Sequence, residues 1–426
     1  MRRYYRGTDC LRARSIAELA DMAQRRLPHF AWEYLAGGAE DELTLSRNTG
    51  AFADIGLMPR TLVPCTAPDT GVSVLGQTLA VPMLIGPTGY NAMLHRDADV
   101  HLAKAATARG VPFCLSTVST SSLEQIARAV PDVNLWFQLY CLREARIQDD
   151  LLSRAEAVGV NTLVLTSDAV LLGNREWDKR SFAKPRQLTL RHKLDVLCHP
   201  RWMAQALWPQ GMPRLGTLDP YLPPDARNAA GAAHFIGAQM DTALDWQALA
   251  RLRERWKGKL LLKGVLHPVD AQQAATLGLD GIVVSNHGGR QLDGAPASIE
   301  ALPAIAAAVR GRLAILLDGG IRRGTDVLKA RALGADAVML GRATLYGVAV
   351  GGEQGAGHAL DLLSQELRLA LNLLGCPDLH GLSDSHLTRR SGLSAYPQVA
   401  YPQADVPDPD VPHPSYPHAQ LGETAL

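Results

Sequence analysis

The chain has 426 residues, 47% hydrophobic and 20% charged, with 43 Lys and Arg against 42 Asp and Glu. That composition describes an ordinary globular protein, and a net charge of +1 gives no electrostatic case for nucleic acid or another highly charged partner. No run of about 18 apolar residues is present to cross a bilayer, the basic start MRRYYRGTDCLRARS lacks a signal-peptide core, and six scattered cysteines show neither a CxxC pair nor metal spacing. A reduced, cytoplasmic setting and no metal site are expected.

In chain order, residues 1–80 read as a helical N-terminal extension packed on a barrel domain. Within it, LPHFAWEYLAGGAEDELTLSRN (27–48) predicts a helix ended by Gly37 and Gly38, then an acidic second helix. Eight short apolar runs come next: PMLIGPT (82–88), PFCLST (112–117), NLWFQLY (134–140), TLVLTSD (162–168), KLLLKGV (259–265), GIVVSN (281–286), AILLDGG (314–320) and AVMLGRA (337–343). Runs that are apolar throughout suit parallel strands covered on both faces. Between most of them lie helical patterns such as DVHLAKAATARG, SLEQIARAV, DAQQAATLG and GTDVLKARALG. The alternation predicts the α/β class, a (β/α)8 TIM barrel over 81–385, with a doubly wound open sheet as the alternative. One connection breaks the rhythm: about 75 residues separate TLVLTSD from the helix LDWQALARLRERW (244–256). This insertion, about 170–243, carries Arg175, Trp177, Trp202, Trp208 and PRQLTLRHK. A lid, a subunit contact and a membrane-touching surface are all open readings. The Pro-rich tail 386–426 is expected to be disordered and without a catalytic role.

Barrel active sites lie at the carboxyl ends of the strands. Those ends supply Pro87-Thr88-Gly89, Ser116, Gln138 and Tyr140, Thr166 and Asp168, Lys263, Ser285 with His287 and Arg290, Asp318-Gly319-Gly320, and Gly341-Arg342. The densest segment is SNHGGRQLD (285–293), which gathers a base, a carboxylate-gripping guanidinium and two permissive glycines. It suggests chemistry on a small organic acid; the plainer alternative is a satisfied histidine and a surface arginine in a turn. LLDGGIRRGTDV and MLGRATLYG mark the ends of the last two strands, the usual phosphate site in barrels. The N-terminal half has no GxGxxG between a strand and a helix, and no Walker loop appears. The phosphate is therefore assigned to flavin mononucleotide (FMN), with Lys263 placed to stabilise charge on the reduced ring. Lysine snorkelling at the barrel mouth is the alternative.

With these motifs, about residues 15–385 resemble the FMN-dependent 2-hydroxy acid dehydrogenases and oxidases. LIGPTGYNAML, LWFQLY, CHPRW, GMPRL and LGRATLYG are most similar to the mandelate dehydrogenase branch, CHPRW also to bacterial lactate dehydrogenases. The resemblance implies His287 as base, with Asp168 stabilising its imidazolium. It implies Arg175 and Arg290 as the substrate carboxylate clamp, with Tyr34 and Tyr140 bonding the carboxylate and the developing oxyanion. For FMN it implies Pro87, Thr88, Gly89, Ser116, Gln138, Thr166, Lys263 and Ser285 at the ring and ribityl chain, and Asp318, Gly320, Arg322, Gly341 and Arg342 at the ribityl end and phosphate.

The expected activity is FMN-dependent oxidation of an L-2-hydroxy acid to the 2-oxo acid, with electrons passed to a quinone or cytochrome. Alternatives are an oxidase releasing hydrogen peroxide, an FMN-containing isomerase, and a non-catalytic flavin-binding protein. Gly89 stands where oxidases of the family commonly carry alanine. Leu171, Leu172 and the insertion are expected to shape the substrate pocket, favouring a bulky or aromatic acid over glycolate. The resemblance also implies a homotetramer, and peripheral contact with the cytoplasmic side of the inner membrane through the insertion, as expectations.

Overall fold

Apolar backbone can be buried only if its N–H and C=O groups are paired, and here eight runs satisfy one another in a closed parallel ring. The computed structural model describes residues 4–184, 187–209, 211–227 and 229–389. The barrel strands are β1 (Met83–Ile85), β2 (Phe113–Ser116), β3 (Leu135–Tyr140), β4 (Thr162–Thr166), β5 (Lys259–Val265), β6 (Gly281–Val284), β7 (Ala314–Asp318) and β8 (Ala337–Leu340). They close in chain order, β8 pairing with β1. Every residue of β1, β2, β4, β6 and β8 is buried, which is why their sequences do not alternate. A helix succeeds each strand, from Ala98–Thr107 after β1 to Arg342–Leu374 after β8, the latter broken at Gly351 and Gly352. The β5–β6 register shifts between Lys263 and Val265. Gly264 there has φ +104°, and a Cβ on it would come within 2.6 Å of Asp168 Cβ; glycine lets the loop after β4 lie against β5.

The N-terminal extension is helical in part. Helix Ile16–Arg26 was not assigned from the sequence, although Ser15 caps it by accepting the Glu18 amide at 3.2 Å. Helix His29–Ala36 stops at Gly37 as expected. The second helix, Leu43–Ala53, begins after the acidic residues rather than including them. Its cap comes from elsewhere: Asp293, after β6, accepts the amides of Leu43 and Thr44 at 3.2 and 2.8 Å. A hairpin, Val72–Val74 with Gln77–Leu79, sits at the amino-terminal end of the barrel, where Asn134 ahead of β3 donates to Gln77 at 2.8 Å.

The insertion is not the structureless loop its sequence suggested. It contains helix Glu176–Arg180, paired strands Phe182–Lys184 and Gln187–Leu188, helix Leu190–Leu197, further short turns, and helix Ala229–Gln239. These pieces are too short and too interrupted by proline to show a sustained period. The ordered fold also runs past residue 385, since Leu387–Arg389 pairs antiparallel with Ile55–Leu57. The rest of the Pro-rich tail, 390–426, lies outside the described residues.

Candidate active site

The carboxyl ends of the strands surround a cavity of about 450 Å³. Every catalytic or cofactor-binding candidate named from the sequence lines it except Asp168 and Ser285, which bond to His287 and Lys263 that do.

After β6 the chain turns sharply through three left-handed residues, His287 (φ +57°), Gly288 (+66°) and Gly289 (+74°). Cβ atoms on the two glycines would lie 2.9 Å from Arg342 Nη1 and 2.5 Å from Leu45 N, so the loop can pass between the β8 end and the N-terminal extension only with glycine there. His287, which is not glycine, is held in this conformation by its amide donating to Ser285 Oγ at 3.0 Å. The loop is anchored further by a reciprocal amide pair, Asn48 and Asn286, with both N–O distances 2.8 Å.

His287 Nδ1 lies 2.8 Å from Asp168 Oδ1. A carboxylate there fixes the tautomer with hydrogen on Nδ1 and leaves the Nε2 lone pair for the cavity. Burial pushes the imidazole below its ordinary value, aided by Lys263 and Arg175 and opposed by Asp168. Burial pushes Asp168 up, but the imidazole and Lys263 outweigh it and hold the carboxyl below its usual range. At neutral pH the pair is thus a neutral histidine on an ionised aspartate, the form that can accept a proton.

Arg290 and Arg175 come from different loops. Arg290 Nη1 donates to Gly37 O at 2.7 Å, and its guanidinium lies 5.2 Å from the Tyr34 ring centre. Burial, then Arg175, draws its pKa down to about 10, still charged at neutral pH. Arg175 Nε donates to Arg290 O at 3.3 Å. Asp178 stands 3.7 Å from Arg290 Nη2 and also lines the cavity; burial raises its carboxyl despite the two arginines. Tyr34 OH donates to Gly89 O at 3.1 Å, and burial holds the Tyr140 phenol protonated, up to about 12.

On the other side, polar side chains join across successive strands: Ser116 Oγ donates to Gln138 Oε1 at 2.9 Å, and Gln138 Nε2 to Thr166 Oγ1 at 2.9 Å. Lys263 Nζ donates to Ser285 Oγ at 2.9 Å and lies 3.1 Å from Asp318 Oδ2. Burial disfavours the ammonium, but Asp318 and Asp168 outweigh it and the pKa is raised. Among the described residues Asp318 Oδ1 is buried without a hydrogen-bond partner, an acceptor on a cavity-lining residue that a hydroxyl-bearing ligand could satisfy.

The two phosphate motifs behave differently. Asp326 accepts the Arg322 and Arg323 amides at 2.9 Å each, and Arg323 turns away to Glu366 at 2.7 Å. The helix starting at Arg342 has no side-chain cap, which leaves its N-terminus for an anion. Arg342 donates to the carbonyls of Leu35, Gly37 and Gly288 at 3.0, 2.7 and 2.8 Å, retaining N–H groups of its five. An uncapped helix start, the open Asp318 oxygen, a buried lysine and a cavity of this size together fit FMN.

Gln291 was passed over in the sequence. Its Nε2 donates to Asp168 O and Leu171 O at 2.9 and 2.7 Å, and its Oε1 accepts from Gly173 N at 3.1 Å. It ties the base loop to the start of the insertion. Asp178 was also missed, and no sequence signal places it beside Arg290. Leu172 lines the cavity and Leu171 does not; the apolar wall is completed by Ala169, Leu215, Ile236 and Met240.

Residues 23–389 match the model of the FMN-dependent dehydrogenase family, and the chain belongs to that family. It is 42% identical over 380 residues to an L-lactate dehydrogenase of Caulobacter vibrioides, covering 88% of this chain and 98% of that protein. An L-lactate dehydrogenase of Xanthomonas oryzae is 43% identical over 371 residues, covering 86% and 94%. Among solved structures, the monotopic membrane protein (S)-mandelate dehydrogenase superposes with a TM-score of 0.85 at 39% identity, over 89% of this chain and all of that one. A mandelate oxidase bound to (S)-4-hydroxymandelic acid gives 0.75 at 34% identity, over 89% and 99%. The protein is accordingly an FMN-dependent hydroxy acid oxidoreductase.

Proposed function

We propose that the chain oxidises an L-2-hydroxy acid to the 2-oxo acid and passes the electrons to a quinone or cytochrome. The observation that carries this is His287, bonded to Asp168, in one cavity with the guanidiniums of Arg175 and Arg290. The two arginines take the substrate carboxylate as a fork, and Tyr140, together with Tyr34 once its hydroxyl turns from Gly89 O, adds hydrogen bonds to it and to the substrate oxygen. His287 Nε2 accepts the proton leaving the substrate, and Asp168 stabilises the resulting imidazolium. FMN, when bound, supplies the two-electron acceptor. Lys263 and the Ser116–Gln138–Thr166 row would hold its ring, Asp318 its ribityl chain, and the start of the last helix with Arg322 and Arg342 its phosphate.

The apolar wall of Ala169, Leu172, Leu215, Ile236 and Met240 supports a bulky or aromatic substrate over glycolate. Anaerobic titration of the holoenzyme with glycolate, lactate, mandelate and a long-chain hydroxy acid tests both points. Bleaching by at least one, weakest with glycolate, is expected; no bleaching by any would refute the activity. Gly89, where oxidases of the family commonly carry alanine, agrees with the dehydrogenase branch, and a Cβ there would come within 2.4 Å of Val118 Cγ2. Stoichiometric peroxide in air, with slow dye reduction, would reverse that choice.

Peripheral membrane contact also belongs to this reading. Among the described residues no helix is long and apolar enough to cross a membrane. Helix Leu190–Leu197, however, exposes Leu190, Leu194 and Leu197 by 75, 56 and 65%, one apolar stripe with Arg191 and Lys193 beside it. Trp208 and Met212 are exposed in the same insertion. Such a face suits the headgroup boundary of a bilayer.

A further inference from the structure

A second concavity, of about 360 Å³, lies between the end of helix Ile16–Arg26 and the insertion at Cys198–Trp202. Three arginines line it: Arg25, Arg26 and Arg201. We propose that this pocket binds a phosphate group, carried by a soluble phosphate monoester or by an acidic phospholipid headgroup.

Arg25 is already engaged, with Asp21 at 3.0 Å and the carbonyls of Arg6 and Tyr5 at 3.0 Å each. The guanidiniums of Arg26 and Arg201 make no hydrogen bond or ion pair among the described residues. Burial lowers the Arg26 pKa, and the charge of Arg201 lowers it further. The neighbouring carboxylates are committed: Asp21 to Arg25, and Asp195 to the His29 amide at 2.6 Å and to His199 at 3.6 Å. Arg26 is partly buried and Arg201 exposed at the mouth; two cations that repel each other are stabilised by an oxyanion bridging them, and guanidinium forks match phosphate geometry.

The pocket is separate from the cavity assigned to FMN. Trp202 forms the partition: its Nε1 donates to Met93 O at 2.8 Å, and its ring meets Phe30 edge-on at 5.6 Å. Phe30 and Met93 face the main cavity, whereas Trp202 faces the outer one. Cys198, on the pocket rim, directly succeeds the helix carrying the exposed leucines. Leucines inserted in a bilayer would therefore bring a headgroup to the arginines.

Cys198 is exposed and free and gives a direct readout. FMN-saturated holoenzyme is alkylated with iodoacetate or iodoacetamide, and each cysteine is followed by peptide mass spectrometry. The anionic reagent should be favoured at Cys198 by about fivefold or more over its ratio for a free thiol. That preference should vanish in Arg26→Gln/Arg201→Gln and persist in Arg26→Lys/Arg201→Lys, with flavin content unchanged in both. Protection of Cys198 by inorganic phosphate or glycerol 3-phosphate identifies a soluble ligand. Protection only by phosphatidylglycerol vesicles, beyond that from phosphatidylcholine, identifies a headgroup. No anionic preference, its survival in the glutamine variant, or protection by none of these overturns the proposal.

Discussion

Replacing Asp168 with asparagine isolates the charge behind the base. The side chain keeps its shape and an oxygen that can accept from His287 Nδ1, but the carboxylate charge is gone. At an effective dielectric of about 20, unit charges at the 2.8 Å Nδ1–Oδ1 separation attract by roughly 6 kcal/mol, an upper bound. Disrupting buried pairs of this kind costs about 3–5 kcal/mol. The imidazolium exists only after proton transfer, so the loss falls mainly on the transition state. About 3 kcal/mol there lowers the rate of flavin reduction by roughly a hundredfold. The pH dependence carries a sign as well. His287 must be neutral to accept a proton, so activity falls as pH drops through its pKa, which burial places below the ordinary value. Asp168 is the neighbour pulling that pKa upward, so Asp168→Asn should move the acid limb to lower pH. Anaerobic stopped-flow reduction of the flavin across about pH 5–9 measures both effects. A rate within about threefold of the parent, or an acid limb moved to higher pH, would refute the reasoning.

Other perturbations bear on separate parts of the site. His287→Ala should retain yellow FMN yet bleach at least about a thousandfold more slowly with substrate, read in the same instrument. Arg290→Lys keeps the charge but loses the fork; kcat/KM should fall by about tenfold to a hundredfold, mostly through KM. Gln291→Ala should leave FMN affinity unchanged while lowering kcat, because its amide ties Asp168 and Leu171 together. Leu194→Asp should release the protein from lipid vesicles at low salt without altering flavin reduction, as sedimentation would show. Light scattering of the holoenzyme should return the mass of four copies.

Much of this architecture is readable from patterning alone. Eight apolar runs without alternation are what a two-side-covered parallel barrel requires, and each became a strand at its expected place. The site was legible because strand ends point to one rim: Lys263, His287 and Asp318 are far apart in sequence, yet topology alone makes them neighbours. What stayed hidden depended on contacts between distant segments. The cap of helix Leu43–Ala53 is Asp293, some 250 residues away in the chain, so the local acidic run misled. The insertion hides its helices because tertiary packing rather than a long repeat defines them. Asp178 beside Arg290 is a product of that packing. In the Arg322–Arg323 motif Asp326 occupies two of the amides, a competition visible only in three dimensions, so the proposed phosphate contact falls to the Arg322 side chain rather than to the backbone.

The most direct test is a crystal structure of the FMN holoenzyme with a bound, unreactive 2-oxo acid. The carboxylate should lie between Arg175 and Arg290, with C2 facing the flavin ring and the C2 oxygen within hydrogen-bonding distance of His287 Nε2, which donates to it as the imidazolium formed in the reaction. A carboxylate held elsewhere, or a His287 ring turned from the ligand oxygen, would contradict the account.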